Sequence, residues 1–323
     1  LGSMNQDLPS FVVLHAKHSS PFSNVQAISA RLWGSGFLPG KHQGVRFRGV
    51  GDPVPYVNNP AGVSRDARRT MLDDLQALNR AHFGEVGDPA IDTRISQYEM
   101  AFRMQASVPD LLDFRNEPKS VLEMYGPDVL KPGTFANNCL IARRLLERGV
   151  RFVQLMHSGW DQHNNLHTQL ENQCKDTEGP SAALVMDLKE RGMLDDTLVV
   201  WGGEFGRTPF GQGDPANPRG RDHFGRAYSW WMAGGGIKPG STWGATDDFA
   251  WNIVENKVHV HDMQATMLHL CGIDDPVRTI GGYHVGRADE AVRILAFLHV
   301  ANTLANKPAE HHHTLIQCSQ LLQ

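Results

Sequence analysis

No run in this chain of 323 residues approaches the ~18 to 20 consecutive apolar residues that a membrane span needs, and no charged-then-apolar signal segment opens it. Cysteine is scarce. The four present, Cys139, Cys174, Cys271 and Cys318, stand far apart and none forms a CxxC pair, so neither a zinc ribbon nor a disulfide-dense scaffold fits. They read as small buried hydrophobes. Neither sign of charge prevails: 31 basic against 35 acidic residues leave a net charge of −4, which gives nucleic acid no broad electrostatic footprint and leaves room only for a local basic pocket for an anion. Internal repeats and low-complexity tracts are lacking. So are a GxSxG nucleophile elbow, a Walker phosphate loop, an HExxH helix and a GxGxxG turn that opens a helix after a strand.

What is present suits a large core. Hydrophobic residues make up 41% and charged residues 20%, and the length suits one big α/β domain, or a domain with an elaborated insertion, better than several small modules. From Leu8 to about Gly62 a short apolar run, Phe11 to Leu14, is followed by many breakers, which predicts one strand and then long surface loops. From Ser64 to about Phe114 the pattern turns helical. Met71, Leu72, Leu75 and Leu78 fall on one face behind a Ser64 cap, and Ile91, Ile95, Tyr98 and Phe102 repeat that spacing, so 64–114 reads as a helical insertion beside a sheet.

The chain then alternates. Phe135 to Arg148 reads as a helix closed by Gly149, Val150 to Met156 as a strand, Pro180 to Arg191 as a helix with Pro in its first turn, and Thr197 to Trp201 as a strand. Tyr228 to Ala233 reads as a short aromatic strand ending in Gly234-Gly235-Gly236, and Asp262 to Leu270 as a helix stopped by Gly272. Strand, helix, strand, helix implies parallel pairing with right-handed crossovers.

Three Gly-flanked loops carry the chemistry. Asp161 and His163 stand two apart just past a strand, and in extended chain both side chains point the same way and reach one cation. Glu204 follows Gly202-Gly203, which allow a ligand to approach the backbone, and Arg207 offers a planar fork of donors for phosphate or sulfate oxygens. Asp222 and His223 lie in a loop with Arg219 and Arg221 and suit a metal-ligand or acid/base pair. Each loop alone also fits a blander description: a capped polar turn, a surface Glu–Arg pair, a solvated Asp-His. Because loops leaving the carboxyl ends of parallel strands converge on one crevice, the three together point to a metal-dependent hydrolytic centre. Carboxylate plus imidazole suits zinc or manganese, and also iron, better than calcium. The other histidines read as structural or incidental: His259 and His261 alternate on a strand edge, His269 sits in a helix, and His311 to His313 cluster in the tail. Cys139 to Arg143 places Arg at the spacing of a sulfatase nucleophile motif without its Pro, inside a helix, and reads as core.

Five segments in order carry a resemblance: Arg151 to Leu155 leading into Gly159-Trp160-Asp161-Gln162-His163-Asn164, Leu194 to Pro209, Gly220-Arg221-Asp222-His223, Trp231 to Lys238, and His261 to Thr266. Over about Asp7 to Asp274 the chain resembles the sulfatase-like family called domain of unknown function 1501, of the alkaline phosphatase/sulfatase superfamily. The resemblance implies an α/β/α sandwich with a mostly parallel sheet, residues 1–274 forming one incomplete domain, and a metal site at the sheet's carboxyl edge. It makes Asp161, His163, Glu204 and His223 the metal ligands of a divalent cation, and Arg207 and Asp222 the catalytic or substrate-contacting pair. The implied activity is hydrolysis of phosphate or sulfate esters of a small molecule or glycan; the alternative is a non-catalytic protein that keeps the fold to hold an anionic glycan or a partner. The family's N-terminal strand and Gly-Gly-Pro-Ser-His-like loop have no match here, so Leu1 is expected to start in mid-domain and the sheet to lack a central strand. Gln264 stands where the family often has His. Residues 275–323 read as a divergent tail. The resemblance further implies an exported or periplasmic setting, and nothing in it fixes an oligomeric state.

Overall fold

Apolar runs of four to seven residues become strands here, and longer amphipathic runs become helices, because those are the two ways a chain can bury one face while pairing its backbone. The computed structural model describes residues 5–19, 30–36, 38–49, 51–55, 57–203, 205–213, 220–272, 293–299 and 314–315. In chain order the elements are β1 (Phe11–Ala16), β2 (Val45–Phe47), α1 (Arg65–Val86), α2 (Pro89–Leu111), α3 (Lys119–Tyr125), α4 (Phe135–Glu147), β3 (Phe152–His157), α5 (Leu166–Glu190), β4 (Thr197–Gly203), β5 (Gly206–Arg207), β6 (His223–Phe224), β7 (Trp230–Ala233), β8 (Ala245–Thr246), β9 (Ile253–Glu255), β10 (Val258–His259), α6 (Val260–Leu270), β11 (Arg293–His299) and β12 (Thr314–Leu315). The architecture is mixed α/β. Its main sheet, among the described residues, has the order β2-β1-β3-β11-β4-β7, parallel throughout except for β7, which runs antiparallel to β4 at the edge.

Strand alternation builds a core on each face. Val12, Leu14 and Ala16 of β1, with Val153 and Leu155 of β3 and Val199 of β4, pack with Leu140 and Leu145 of α4 and Leu184 and Leu188 of α5. Val13 and Met156 point the other way onto Trp33, and Leu198 and Val200 pack with Met263 and Leu270 of α6. Strands apolar on both faces are what a parallel sheet requires.

Several elements depart from the sequence reading. The helix expected from Pro180 to Arg191 runs instead from Leu166 to Glu190, with Pro180 buried in its interior. Pro180 cannot donate to the Asp176 carbonyl, but the burial of Gln169, Gln173 and Thr177 on the preceding turns holds the helix through that break. His259 and His261 do not alternate on one strand. His259 caps α6, its ring accepting from the His261 amide while the Asp262 carboxylate accepts from the His259 amide, so the helix begins at Val260. α1 and α2 span the expected helical block, with Ser64 accepting from the Ala67 amide as N-cap. On α1 only Leu72 is buried; Met71 and Leu78 face solvent because α1 packs against α2 rather than the sheet. β11 lies in the segment read as a divergent tail, and among the described strands it occupies the centre of the sheet between β3 and β4. His311 to His313 and Cys318 lie outside the described residues.

The run Cys139 to Arg143 is core. Burial pushes the Cys139 thiol well up, so it stays a neutral hydrophobe. Arg143 is more unusual: its side chain is 2% exposed and sits among three carboxylates, Glu117, Glu147 at 2.7 Å and Asp187 at 2.9 Å. Asp187 also accepts from Tyr125 Oη at 3.0 Å and Arg191 Nε at 2.6 Å, and Glu117 pairs with Arg144. Burial alone would raise the Glu117 carboxyl, but hydrogen bonds from Arg143 and Arg144 outweigh it and hold the group below its ordinary value. This network ties α3, α4 and α5 together.

Candidate functional site

The sheet's carboxyl edge assembles the site. The loop after β3 carries Asp161 and His163, and β5 just beyond β4 carries Arg207. β6 carries His223, directly opposite Arg207 in the antiparallel β5–β6 pair. Backbone bonds sew the loops together: Arg221 N to Gln162 O at 3.0 Å, Thr208 N to Asp222 O at 2.9 Å and Gln212 N to Gly220 O at 2.9 Å.

All three loops converge on one oxygen. Asp161 Oδ1 lies 2.7 Å from Arg207 Nη2, 2.8 Å from His223 Nε2 and 3.0 Å from His163 Nε2. One ligand atom from each of Asp161, His163 and His223 falls within 4.8 Å of the others, so the trio can hold a metal ion. Its geometry is not the extended i, i+2 arrangement expected. The His163 amide donates to the Asp161 carbonyl at 3.2 Å in a tight turn, while Gln162 between them is buried and bonds to Gln173 of α5.

The surroundings orient these groups. His163 Nδ1 lies 2.7 Å from Gln212 Oε1. With that carbonyl accepting the Nδ1 proton, a neutral His163 ring turns its Nε2 lone pair toward Asp161, the arrangement of a metal-ligating histidine held by a neighbouring acceptor. The two histidine rings meet edge to face at 4.8 Å, and Phe205 backs His223 at 5.9 Å. Burial pushes the Asp161 carboxyl up, but hydrogen bonds from His223 and Arg207 and the Arg207 charge outweigh it, so the group lies below its ordinary value. Arg207 also donates from Nη2 to the Trp160 carbonyl at 3.2 Å, while its Nη1 is buried and has no hydrogen-bond partner among the described residues.

Other expected residues fall elsewhere. Asp222 is exposed, and its carboxylate accepts from the amide of His223 at 2.8 Å, so it shapes the turn before β6 rather than joining the trio. Arg221 donates to the Thr208 carbonyl at 3.2 Å, and Arg219 and Glu204 lie outside the described residues. Gly202 does not admit a ligand. A Cβ there would stand 2.4 Å from the Trp230 indole, whose Nε1 donates to the Gly203 carbonyl at 2.7 Å.

Sequence reasoning missed the supporting residues, Gln173, Gln212, His157 and Asp176. Gln173 is fully buried on α5 and bonds to Gln162 and to the Gly159 carbonyl, pinning the Asp161 loop. His157 accepts from Trp160 Nε1 at 2.8 Å, and its Nε2 lies 3.4 Å from Asp176, which accepts from the Ser19 amide. Burial holds His157 below its ordinary value against the pull of Asp176.

Gly220 gives a sharp test of this packing. A Cβ there would stand 2.0 Å from the His163 carbonyl carbon and 2.2 Å from the Gln162 oxygen, both backbone atoms. Gly220→Ala is therefore expected to push the Asp161 and His223 loops apart and weaken divalent-cation affinity by about 10- to 100-fold, the range seen when ligand-supporting contacts are lost. Isothermal titration with zinc or manganese checks this; unchanged affinity would show that the loops absorb the methyl group elsewhere.

The chain belongs to a family described as a protein of unknown function, DUF1501, whose model matches residues 1–297. No curated protein and no solved structure matches it. No helix among the described residues is long and apolar enough to cross a membrane.

Proposed function

We propose that this DUF1501 protein is a metal-dependent hydrolase of phosphate or sulfate esters, with an alkaline-phosphatase-like α/β/α sandwich and an exported setting. The observation that carries the reading is the convergence of Asp161 and His163, from the loop after β3, with His223 of β6, with Gln212 turning the His163 Nε2 lone pair toward the carboxylate. One oxygen and two imidazole nitrogens suit zinc or manganese. Glu204, placed in sequence between β4 and β5, is the expected further ligand.

A divalent cation at this site supplies Lewis acidity toward an ester oxygen. The protein's own residues do the rest. Arg207 lies beside the trio with an Nη1 donor that has no hydrogen-bond partner among the described residues, and its guanidinium suits an anionic ester oxygen and stabilises the charge that grows there as the bond to the leaving group breaks. Trp160 and Asp161 hold the guanidinium in place through its Nη2. Phe205 packs edge to face on the His223 ring and steadies it.

A second reading has its own support. The Arg207–Asp161 pair at 2.7 Å already balances the carboxylate, which favours a closed polar network that binds an anion without turnover. Hydrolysis of 4-nitrophenyl phosphate and sulfate, before and after chelation and with zinc or manganese restored, separates the two. Turnover that chelation abolishes and metal restores supports the hydrolase; no turnover on either ester with the metal bound supports the binding protein.

A further inference from the structure

A second polar feature lies on the same edge of the sheet, at the carboxyl ends of β1 and β2, and shares no residue with the Asp161 cluster. It is a pocket of about 460 Å³ lined by His15, Lys17, Arg46, Arg48, Gly49, Pro55 and Gly133. The sequence builds it by strand alternation: His15 and Lys17 are two apart at the end of β1, Arg46 and Arg48 are two apart at the end of β2, and the parallel register places Val13 beside Arg46. All four therefore project from one face.

The chemistry of the wall is one-sided. Among the described residues no carboxylate pairs with Lys17, Arg46 or Arg48, and all three are exposed to solvent. Arg46 Nη2 lies 3.3 Å from His15 Nδ1, and because a guanidinium only donates, that nitrogen is the acceptor. The neutral ring then carries its proton on Nε2, which is buried and has no hydrogen-bond partner among the described residues. Burial, with the nearby Arg46 charge, lowers His15 to about 4, which keeps the ring in this neutral form at physiological pH. Every side chain on the wall that can hydrogen-bond is thus a donor, and three carry a full positive charge. Two guanidinium forks lining one pocket suit the oxygens of phosphate or sulfate. The volume exceeds that of a bare oxyanion, and the small residues Gly49, Pro55 and Gly133 leave room for a compact body attached to it.

We propose that this pocket is an anion-binding site for a tetrahedral oxyanion, phosphate or sulfate, carried on a sugar-sized group. The site stands independently of the hydrolase reading, since it needs neither the metal trio nor turnover. It reconciles a balanced overall charge with a local cationic concavity, for with a net charge of −4 the whole protein does not attract anions; the pocket does.

Isothermal titration in a chelating buffer tests it, with inorganic phosphate, inorganic sulfate, glucose 6-phosphate, glucose 6-sulfate and glucose as probes. The expected result is that the two sugar esters bind more tightly than the bare anions, that glucose does not bind, and that raising salt weakens binding. The ratio between the sulfate and phosphate arms tells which ester the pocket prefers. Arg46→Gln/Arg48→Gln weakens the sugar esters at least tenfold, and Asp161→Asn/His163→Ala leaves them unchanged. Arg46 also stacks on Trp33 at 5.9 Å, so if that double variant melts early the exposed pair Lys17→Gln/Arg48→Gln carries the test. Binding that survives the arginine or lysine changes, binding lost with Asp161 and His163, or no binding by wild type at millimolar ester would overturn the proposal.

Discussion

Asp161→Asn is expected to lower metal-dependent ester hydrolysis by about 10³-fold, more than the ~10- to 100-fold expected of Gln212→Leu, which removes only the group that orients His163. The difference follows from position. Three side chains meet on Asp161 Oδ1, whereas Gln212 touches one of them from outside. Global stability should fall by no more than about 2 kcal/mol, because the loss leaves Arg207 short of one partner while its bond to the Trp160 carbonyl persists. The pH dependence has a definite sign. The folded carboxyl lies below its ordinary value, so its contribution to stability is complete above about pH 4, the unfolded value, and is lost only as pH falls through the lower folded one. The melting-temperature difference between wild type and Asp161→Asn, measured without metal, should therefore be flat from neutral pH to about 4 and close below it. Equal losses of rate in Asp161→Asn and Gln212→Leu would remove Asp161 from the centre of the site.

Arg143→Met carries the largest expected cost to stability, about 3 to 5 kcal/mol. Asp187 and Glu117 are 2% and 5% exposed at the side chain, and the substitution strips both of a buried partner at once. Arg191 and Arg144 remain on them, which puts the expected value inside that range rather than above it. A domain is commonly stable by only ~5 to 15 kcal/mol, so the variant should melt roughly 10 °C lower. Adding Glu117→Gln and Asp187→Asn should recover part of the loss, because the uncompensated charges are then gone. Denaturant unfolding of the single and triple variants checks this. A loss under about 1 kcal/mol would mean that the network is screened by water and does not hold α3, α4 and α5 together.

Much of the fold was legible from period and breakers. Val12 to Leu14 and Leu198 to Val200 are apolar on both faces, as is Val153 to Met156 but for Gln154, and a short buried run of this kind has few alternatives to a parallel strand. Where the reading failed, a local signal lost to a tertiary one. Pro180 normally marks a helix start, but the buried polar ladder of α5 carries the helix through it. Met71 and Leu78 follow helical spacing, yet among the described residues α1 packs chiefly on α2. β11 pairs with strands more than ninety residues away in sequence, a partnership that no local pattern encodes.

The site divides in the same way. Asp161, His163, Arg207 and His223 were visible because charged residues wedged between glycines after a strand have few structural uses, and the structure brings these four together. Asp222 shared that signal, and its exposed carboxylate accepts from the His223 amide beside the four. Gln173 and Gln212 carried no signal of their own, since an isolated glutamine reads as surface until its partners are known. The donor wall of His15, Lys17, Arg46 and Arg48 was equally hidden, because its two halves lie thirty residues apart and meet only through the β1–β2 register.

The most direct test of the central claim is the metal content of the purified chain by mass spectrometry, against the Asp161→Ala/His163→Ala variant. The account predicts close to one equivalent of zinc or manganese in wild type and background levels in the variant. Background metal in both, or equal metal in both, would contradict it.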